Sequence, residues 1–386
     1  MEIRALGAEE MAGTRDIRSR AFGAISDEAW ANRLRVAGPG VEAGRYLAGF
    51  DGGRVVATAS VYDMTQWWRG RSVSMAGVSG VTVAPEERGR GVGRAMMTAT
   101  LRRCAEFGHA LSMLFPLTTP LYRSFGWEQA GAQHWTELPA EALRAVRADA
   151  RVPVRRPTAD DGAEVAAVID RVHRTALDSG PVGLGTAHWR MVLEEESNYV
   201  HLAEDGFLSY HWADGNNVLK VDRLVAGSER TLRALWAIVG SGSSAARTVR
   251  ACIGPQDPVL WLLRERSVED VRRKQWMLRV VDAPAAIEAR GYPPGITADV
   301  PLRVEDEHLP ANAGSWRLTV RDGEGRLERS AEDPGALRLG ARGLAALYAG
   351  VPGGTLLRSG LIEGGAAEAD VLSGVFAASP FALDYF

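Results

Sequence analysis

Cysteine is nearly missing from this chain: Cys104 and Cys252 are the two among 386 residues. One falls in a helical pattern and the other near a strand end, far apart, which fits reduced core positions and excludes a disulfide framework. Seven histidines, among them His173, His188, His201 and His211, show no H-x-x-x-H spacing and no cluster with cysteine, so no metal is expected. Long apolar runs are missing too. No stretch approaches the roughly 18 apolar residues of a membrane span, and Met1-Glu2-Ile3-Arg4-Ala5-Leu6 lacks a basic segment leading into an apolar one. The expectation is a soluble, cytoplasmic protein with no membrane partner. Charge of one sign is equally scarce: 45 Lys and Arg against 48 Asp and Glu give a net charge of −3. No basic run interleaves with aromatics, so nucleic acid is not an expected partner.

What the chain does have is a stretch from Val81 to Met97, VTVAPEERGRGVGRAMM. Residues 78–83 favour extended backbone, Pro85 ends the strand, and from Gly93 onward Met97, Leu101, Cys104 and Ala105 recur at helical spacing. A helix therefore starts inside the glycines. Its first turn has backbone N–H groups without intrahelical partners and the positive end of the helix dipole, a site for an anion if side chains stay clear. Gly89, Gly91 and Gly93 leave that room, and Arg88, Arg90 and Arg94 surround it. A Walker A loop would need Gly-Lys-Ser/Thr, and a dinucleotide fingerprint would need G-x-G-x-x-G with a later acid. Neither pattern is present.

At 386 residues two or three domains are expected. Residues 1–150 read as helices 9–22 and 27–36, the second capped at Ser26-Asp27, then strands 45–51 and 54–61 joined by the hairpin turn Gly52-Gly53. Strand 72–83 leads into the glycine loop, followed by strand 110–115, a short helix 120–125 and strand 127–136. A second segment, 151–282, repeats this plan faintly: strands 207–212 and 218–225, then helix 229–239. Its counterpart loop, Ala226-Gly227-Ser228-Glu229-Arg230, has lost the triple-glycine spacing. From Pro284, Pro293-Pro294-Gly295 and Pro301 a third segment, 283–386, reads as a β-meander over 300–305, 316–321 and 326–330 with helices near 340–349 and 367–377.

The loop resembles the R-x-x-G-x-G/A signature of the GCN5-related N-acetyltransferases (GNAT), which hold the pyrophosphate of acetyl-CoA there. The third segment resembles sterol carrier protein-like domains. Taken together the chain resembles the Eis (enhanced intracellular survival) acetyltransferases over its whole length. The implied fold is α/β (α+β): a catalytic GNAT domain at 1–150, a degenerate GNAT-like domain at 151–282, and a sterol carrier protein-like α+β domain at 283–386. The resemblance places acetyl-CoA at Val81, Thr82 and Val83, at Gly89, Arg90, Gly91, Val92, Gly93 and Arg94, and at Leu117 and Thr118. Leu121-Tyr122-Arg123-Ser124-Phe125-Gly126 matches the family's L/I-Y-x-x-F-G segment, making Tyr122 the general acid, and the carboxylate of Phe386 becomes the general base. It further implies a small-molecule amine partner and a homohexamer.

Those residue types suit the chemistry. Aliphatic amines have pKa values near 10.4 and are mostly protonated at pH 7, so acetyl transfer needs a proton acceptor. A terminal carboxylate near 3.5 serves if its surroundings raise its pKa or a water bridges. A backbone N–H near Val83 would hold the developing oxyanion, and Tyr122 would protonate the departing thiolate. For a cationic acceptor such as a polyamine or aminoglycoside, Asp27, Trp30, Trp67 and Tyr385 are the expected lining. The family often places an acid just before the terminal Phe, whereas here Tyr385 stands there and Asp384 one place earlier. The competing readings are a lipid carrier built on residues 283–386 and a catalytically silent acyl-CoA-binding protein.

Overall fold

The computed structural model describes every residue except 149–150, 265–267 and 269. In the first segment β1 (Glu2–Ala5) precedes α1 (Arg15–Phe22) and α2 (Asp27–Glu42), whose N-terminus is closed by the Ser26 hydroxyl accepting from the Ala29 amide at 3.2 Å. The helix runs on through Pro39, which falls in its last turn, so little hydrogen bonding is lost. Then come β2 (Tyr46–Asp51) and β3 (Arg54–Trp68), turned by Gly52 and Gly53 at φ +56° and +83°, the positive angles that a two-residue hairpin requires. β4 (Arg71–Val83), α3 (Val92–Glu106), β5 (Leu111–Leu114), α4 (Thr119–Arg123), β6 (Glu128–Pro139) and α5 (Ala140–Arg144) follow. β3 is longer than the sequence pattern suggests. Residues 66–68 are buried on both faces, so the strand loses its alternation before it ends.

The second segment supplies α6 (Gly162–Thr175), β7 (Ser179–Gly183), α7 (Thr186–Glu194), β8 (Tyr199–Ala203), β9 (Gly206–Ala213), β10 (Val218–Ala226), α8 (Glu229–Ser241), β11 (Thr248–Cys252), α9 (Val259–Leu262) and β12 (Asp270–Val280). Its strands join those of the first segment, with β18 (Phe381–Ala382) of the third, in one sheet of 13, ordered β1-β2-β3-β4-β5-β12-β6-β11-β10-β9-β8, with β7 pairing β3 and β18 pairing β6. β12 therefore lies inside the first segment's sheet, between β5 and β6. β6 is shared: it pairs with β12 along most of its length and with β11 through its far half. Cys104 and Cys252 are both buried with free thiols, and burial pushes each up to about 12, which leaves them inert at neutral pH.

The third segment holds α10 (Ala283–Ala289), β13 (Ala298–Glu305), β14 (Gly314–Arg321), β15 (Glu324–Arg329), β16 (Leu337–Gly340), α11 (Ala341–Tyr348), α12 (Gly353–Arg358), β17 (Ile362–Glu363), α13 (Ala366–Val375) and β18 (Phe381–Ala382). Five of its strands form a separate sheet, β15-β14-β13-β16-β17. Val300, Leu302 and Val304 alternate inward against Trp316, Leu318 and Val320, each such buried side chain contributing about 1.5–3 kcal/mol. The interior is filled by protein. Fully buried Arg290 sits among Trp68, Tyr292, Tyr348 and Phe376, its guanidinium 4.6–5.5 Å from the four ring centroids. Arg279 of β12, also fully buried, makes two 2.7 Å bonds to the Asp306 carboxylate and ties this segment to the sheet. Among the described residues no helix is long and apolar enough to cross a membrane.

Candidate active site

The glycine loop is built as an anion cradle. Gly89 and Gly91 adopt φ +79° and +81°, a region open to glycine at little cost, and nothing would meet a Cβ at either. Gly91 is the N-cap of α3, so the helix begins at Val92 rather than at Gly93, and no side chain caps it. The first-turn N–H groups of a 15-residue helix are thus open at an exposed loop. Arg88, Arg90 and Arg94 flank it, all exposed. Arg90 pairs with Glu87, and Arg94 lies 5.6 Å from the Phe125 ring with a 3.4 Å contact to the Ser124 hydroxyl. The pyrophosphate of a CoA fits this donor set.

Beside the loop the sheet opens. β4 and β5 pair only over Met75–Gly77 and Leu111–Met113, after which β5 ends and β4 continues to Val83. Along the far part of β4 the register with β3 shifts between Thr58–Thr82 and Ser60–Ser79, a bulge at Gly80 and Val81. The Thr58 hydroxyl donates to the Gly80 carbonyl at 2.9 Å and fixes the distortion. Val81 and Val83 are half-buried and Thr82 is buried. Leu117 and Thr118, after β5, are exposed on the opposite lip, Leu117 at 79%.

Phe386 occupies the mouth of this opening. A Cβ on Gly77 would stand 2.8 Å from the Phe386 ring and 2.9 Å from the Met64 sulfur, so only glycine admits the aromatic side chain there. The ring also meets Tyr62 and Phe115 edge-on, at 6.3 and 5.9 Å. The last residues reach this point by threading the sheet. β18 pairs in parallel with β6 at Ala132 and Gln133, the Gln133 amide donates to the Leu383 carbonyl at 3.1 Å, and Asp384 pairs with buried Arg223 of β10. Residues from all three segments converge on one tail.

Tyr122, on α4, is buried against Met97 and Leu101 of α3 and Val78 of β4. Burial pushes its phenol up to about 12, so it holds its proton at neutral pH. The four expected acceptor-lining residues are not brought together. Asp27 is exposed and paired with Arg15 at 2.6 Å, while Trp30 is buried under α2. Trp67 is 2% exposed and packs on His173 and Arg174 of the second segment. Tyr385 is exposed, its ring 4.7 Å from Phe115 and capped by the Lys274 ammonium at 3.0 Å.

The sequence reading missed the residues that hold the tail, Gly77, Gln133 and Arg223. A glycine inside a strand marks close approach of another group, and that was the one available signal. It also missed a cavity of about 620 Å³ beside Tyr62 and Met64, reached from α2 and α7 and lined by Arg33, Arg45, Tyr46 and His188.

Comparison with known proteins gives the class, a GCN5-related N-acetyltransferase, for which acetyl-CoA is the implied cosubstrate. Residues 2–130 and 182–280 each match a model for an acetyltransferase (GNAT) domain, and 283–382 match a sterol carrier protein domain. A solved GCN5-related N-acetyltransferase from Kribbella flavida is 42% identical and superposes with a TM-score of 0.96, covering 100% of this chain and 98% of that one. The N-acetyltransferase Eis of Mycobacterium tuberculosis is 29% identical over 326 residues, 77% of this chain and 79% of its own length. The structure of Eis1 from Mycobacterium abscessus is 25% identical with a TM-score of 0.80, covering all of both chains. The chain belongs to the Eis family of GCN5-related N-acetyltransferases. It is an acyltransferase with two GNAT domains and a sterol carrier protein-like domain.

Proposed function

We propose that the chain transfers an acetyl group from acetyl-CoA, held at Val81–Val83, Gly89–Arg94 and Leu117–Thr118, to a primary amine bound beside Phe386. The observation that carries this is the seating of the Phe386 ring over Gly77, the last β4 residue paired with β5, on the strand that runs on to the glycine loop. The amine nitrogen attacks the thioester carbonyl carbon, the C–N bond forms and the C–S bond breaks. The Phe386 carboxylate takes the amine proton, directly or through a water, and the bulged strand at Gly80–Val83 offers backbone N–H groups to the carbonyl oxygen. Tyr122 donates to the sulfur. Its phenol, near 12, is a weaker acid than a thiol of about 8.5. It therefore acts as a hydrogen-bond donor to the departing thiolate and keeps its own proton, while the nitrogen's proton goes to the carboxylate.

The test is thiol release from acetyl-CoA with a panel of amines, including aminoglycosides and polyamines. Amine-dependent release is expected, and no release with any amine despite cofactor binding would leave a silent acyl-CoA-binding protein. A Tyr122→Phe variant should keep acetyl-CoA affinity and lose most turnover, and residues added after Phe386 should abolish it. Full activity in the extended chain would remove the carboxylate from the mechanism. The family resemblance extends the proposal to a hexamer, which a light-scattering mass near 41.6 kDa would contradict.

A further inference from the structure

The cavity next to Phe386 has the wrong charge for a polycation. Besides the terminal carboxylate of Phe386, three acids stand in this region of the first segment and the tail, and each is taken: Asp63 by Arg45 at 2.8 Å, Asp384 by Arg223, and Asp27 by Arg15. Burial lowers the pKa of His188, which leaves it neutral at pH 7.

Two arginines have no such partner. Arg18 is 5% exposed on α1, and its guanidinium lies against the bulge, 2.7 Å from where a Gly80 Cβ would stand. The charged group beside it is not a carboxylate but a second arginine, Arg33 of α2, with the Tyr46 and Tyr62 phenols alongside. Arg33 lines the cavity, and its Nε and Nη2 are buried without an acceptor. Two like charges drawn together under apolar cover, without a carboxylate, form an unbalanced arrangement. An oxyanion would balance it.

Building on the acetyltransferase reading above, we propose that the acceptor amine also carries an anionic group, a carboxylate or a phosphate, which docks between Arg18 and Arg33. The Tyr62 ring, 6.3 Å from that of Phe386, would then separate the anchored oxyanion from the reacting amine. Arginine suits this role because its planar fork binds carboxylate and phosphate through two parallel bonds.

The experiment compares matched acceptors on the full chain: an amino acid against its decarboxylated amine, and phosphoethanolamine against ethanolamine, with spermidine as the polycation. The anionic member of at least one pair is expected to have the larger kcat/KM by about tenfold or more, from charge-assisted hydrogen bonds. Which pair responds tells carboxylate from phosphate. Arg33→Gln should bring that ratio close to one while the KM for acetyl-CoA stays within about twofold, since the cradle lies elsewhere. Arg18→Gln serves as a second variant, and a thermal shift with benzoate or inorganic phosphate reads the anion site without turnover. Preference for spermidine, or a ratio that survives both substitutions, overturns the proposal. A rise in the KM for acetyl-CoA with the ratio unchanged would move the arginines to the cofactor and overturn it equally. Failure to release CoA with every amine, while both anions still stabilise wild type and not Arg33→Gln, would sink the catalytic reading and leave the anion site standing.

Discussion

The first and second segments run the same strand into the same kind of helix, β4 into α3 and β10 into α8, yet only one of the two helix starts is open. At α3 the cap is Gly91, in left-handed backbone and without a side chain. At α8 the cap is Ser228, whose hydroxyl accepts from the Thr231 amide at 3.3 Å. The Thr231 hydroxyl in turn donates to the Asp205 carboxylate, and the Asp205 carbonyl accepts from the Gly227 amide at 2.7 Å. Glu229 adds a negative charge in the first turn. The second helix end has satisfied itself and repels what the first attracts. A helix start open to an anion is thus closed without any change of fold, by giving the helix its own acceptors.

The substitution expected to break this comparison hardest is Gly91→Val. A β-branched residue at φ +81° is strained and covers the open amides, so acetyl-CoA affinity measured by calorimetry should fall about a hundredfold. The same exchange at Gly227 should leave it within about twofold. Next in size is Asp384→Ala, which tests whether the second segment now serves the tail instead of a cofactor. It leaves Arg223, at 4% side-chain exposure, unpaired. Denaturant unfolding should show a loss of about 3 kcal/mol, with turnover falling more than acetyl-CoA binding. Equal losses of both would mean that the ion pair supports only the fold.

Smaller still, Ser228→Ala should cost about 1 kcal/mol, the usual value of a helix cap, with no change in turnover. A pH-dependent effect concerns the segments that follow β5 and β11. After β5 the chain exposes Leu117 and Thr118, whereas after β11 it holds Asp257, whose carboxyl is pushed by burial from 3.8 up to about 6. The folded state therefore binds that proton better than the unfolded chain. This stability is fully present below pH 3.8 and is lost as the pH rises through about 6. Asp257→Asn should melt a little higher than wild type at pH 8, and the two should converge below pH 4. A gap that does not depend on pH would point to packing.

Much of this was legible because it is local. The open α3 start, the Gly52-Gly53 hairpin, the Ser26 cap and the meander of the third segment each depend on residues a few positions apart. The faint echo between segments was legible for the same reason. Out of reach were the features made by distant pairing: β12 inserted between β5 and β6, β18 laid along β6, and Gly77 hollowed for Phe386. Arg18 and Arg33 read as ordinary helix-surface charges, since on their own helices nothing shows that the two stand near each other. Trp67, expected to line the acceptor site, is buried where β7 of the second segment pairs with the end of β3.

The threading of β18 sets a timetable. On the ribosome the first segment emerges while more than half of the chain is still unmade, and its sheet waits for β12 to join β5 to β6. Residues 381–386 leave the exit tunnel only after every element they must pass between has been synthesised. On the mechanism proposed above, a thioester held at the loop meets its base only once residues 381–386 lie along β6.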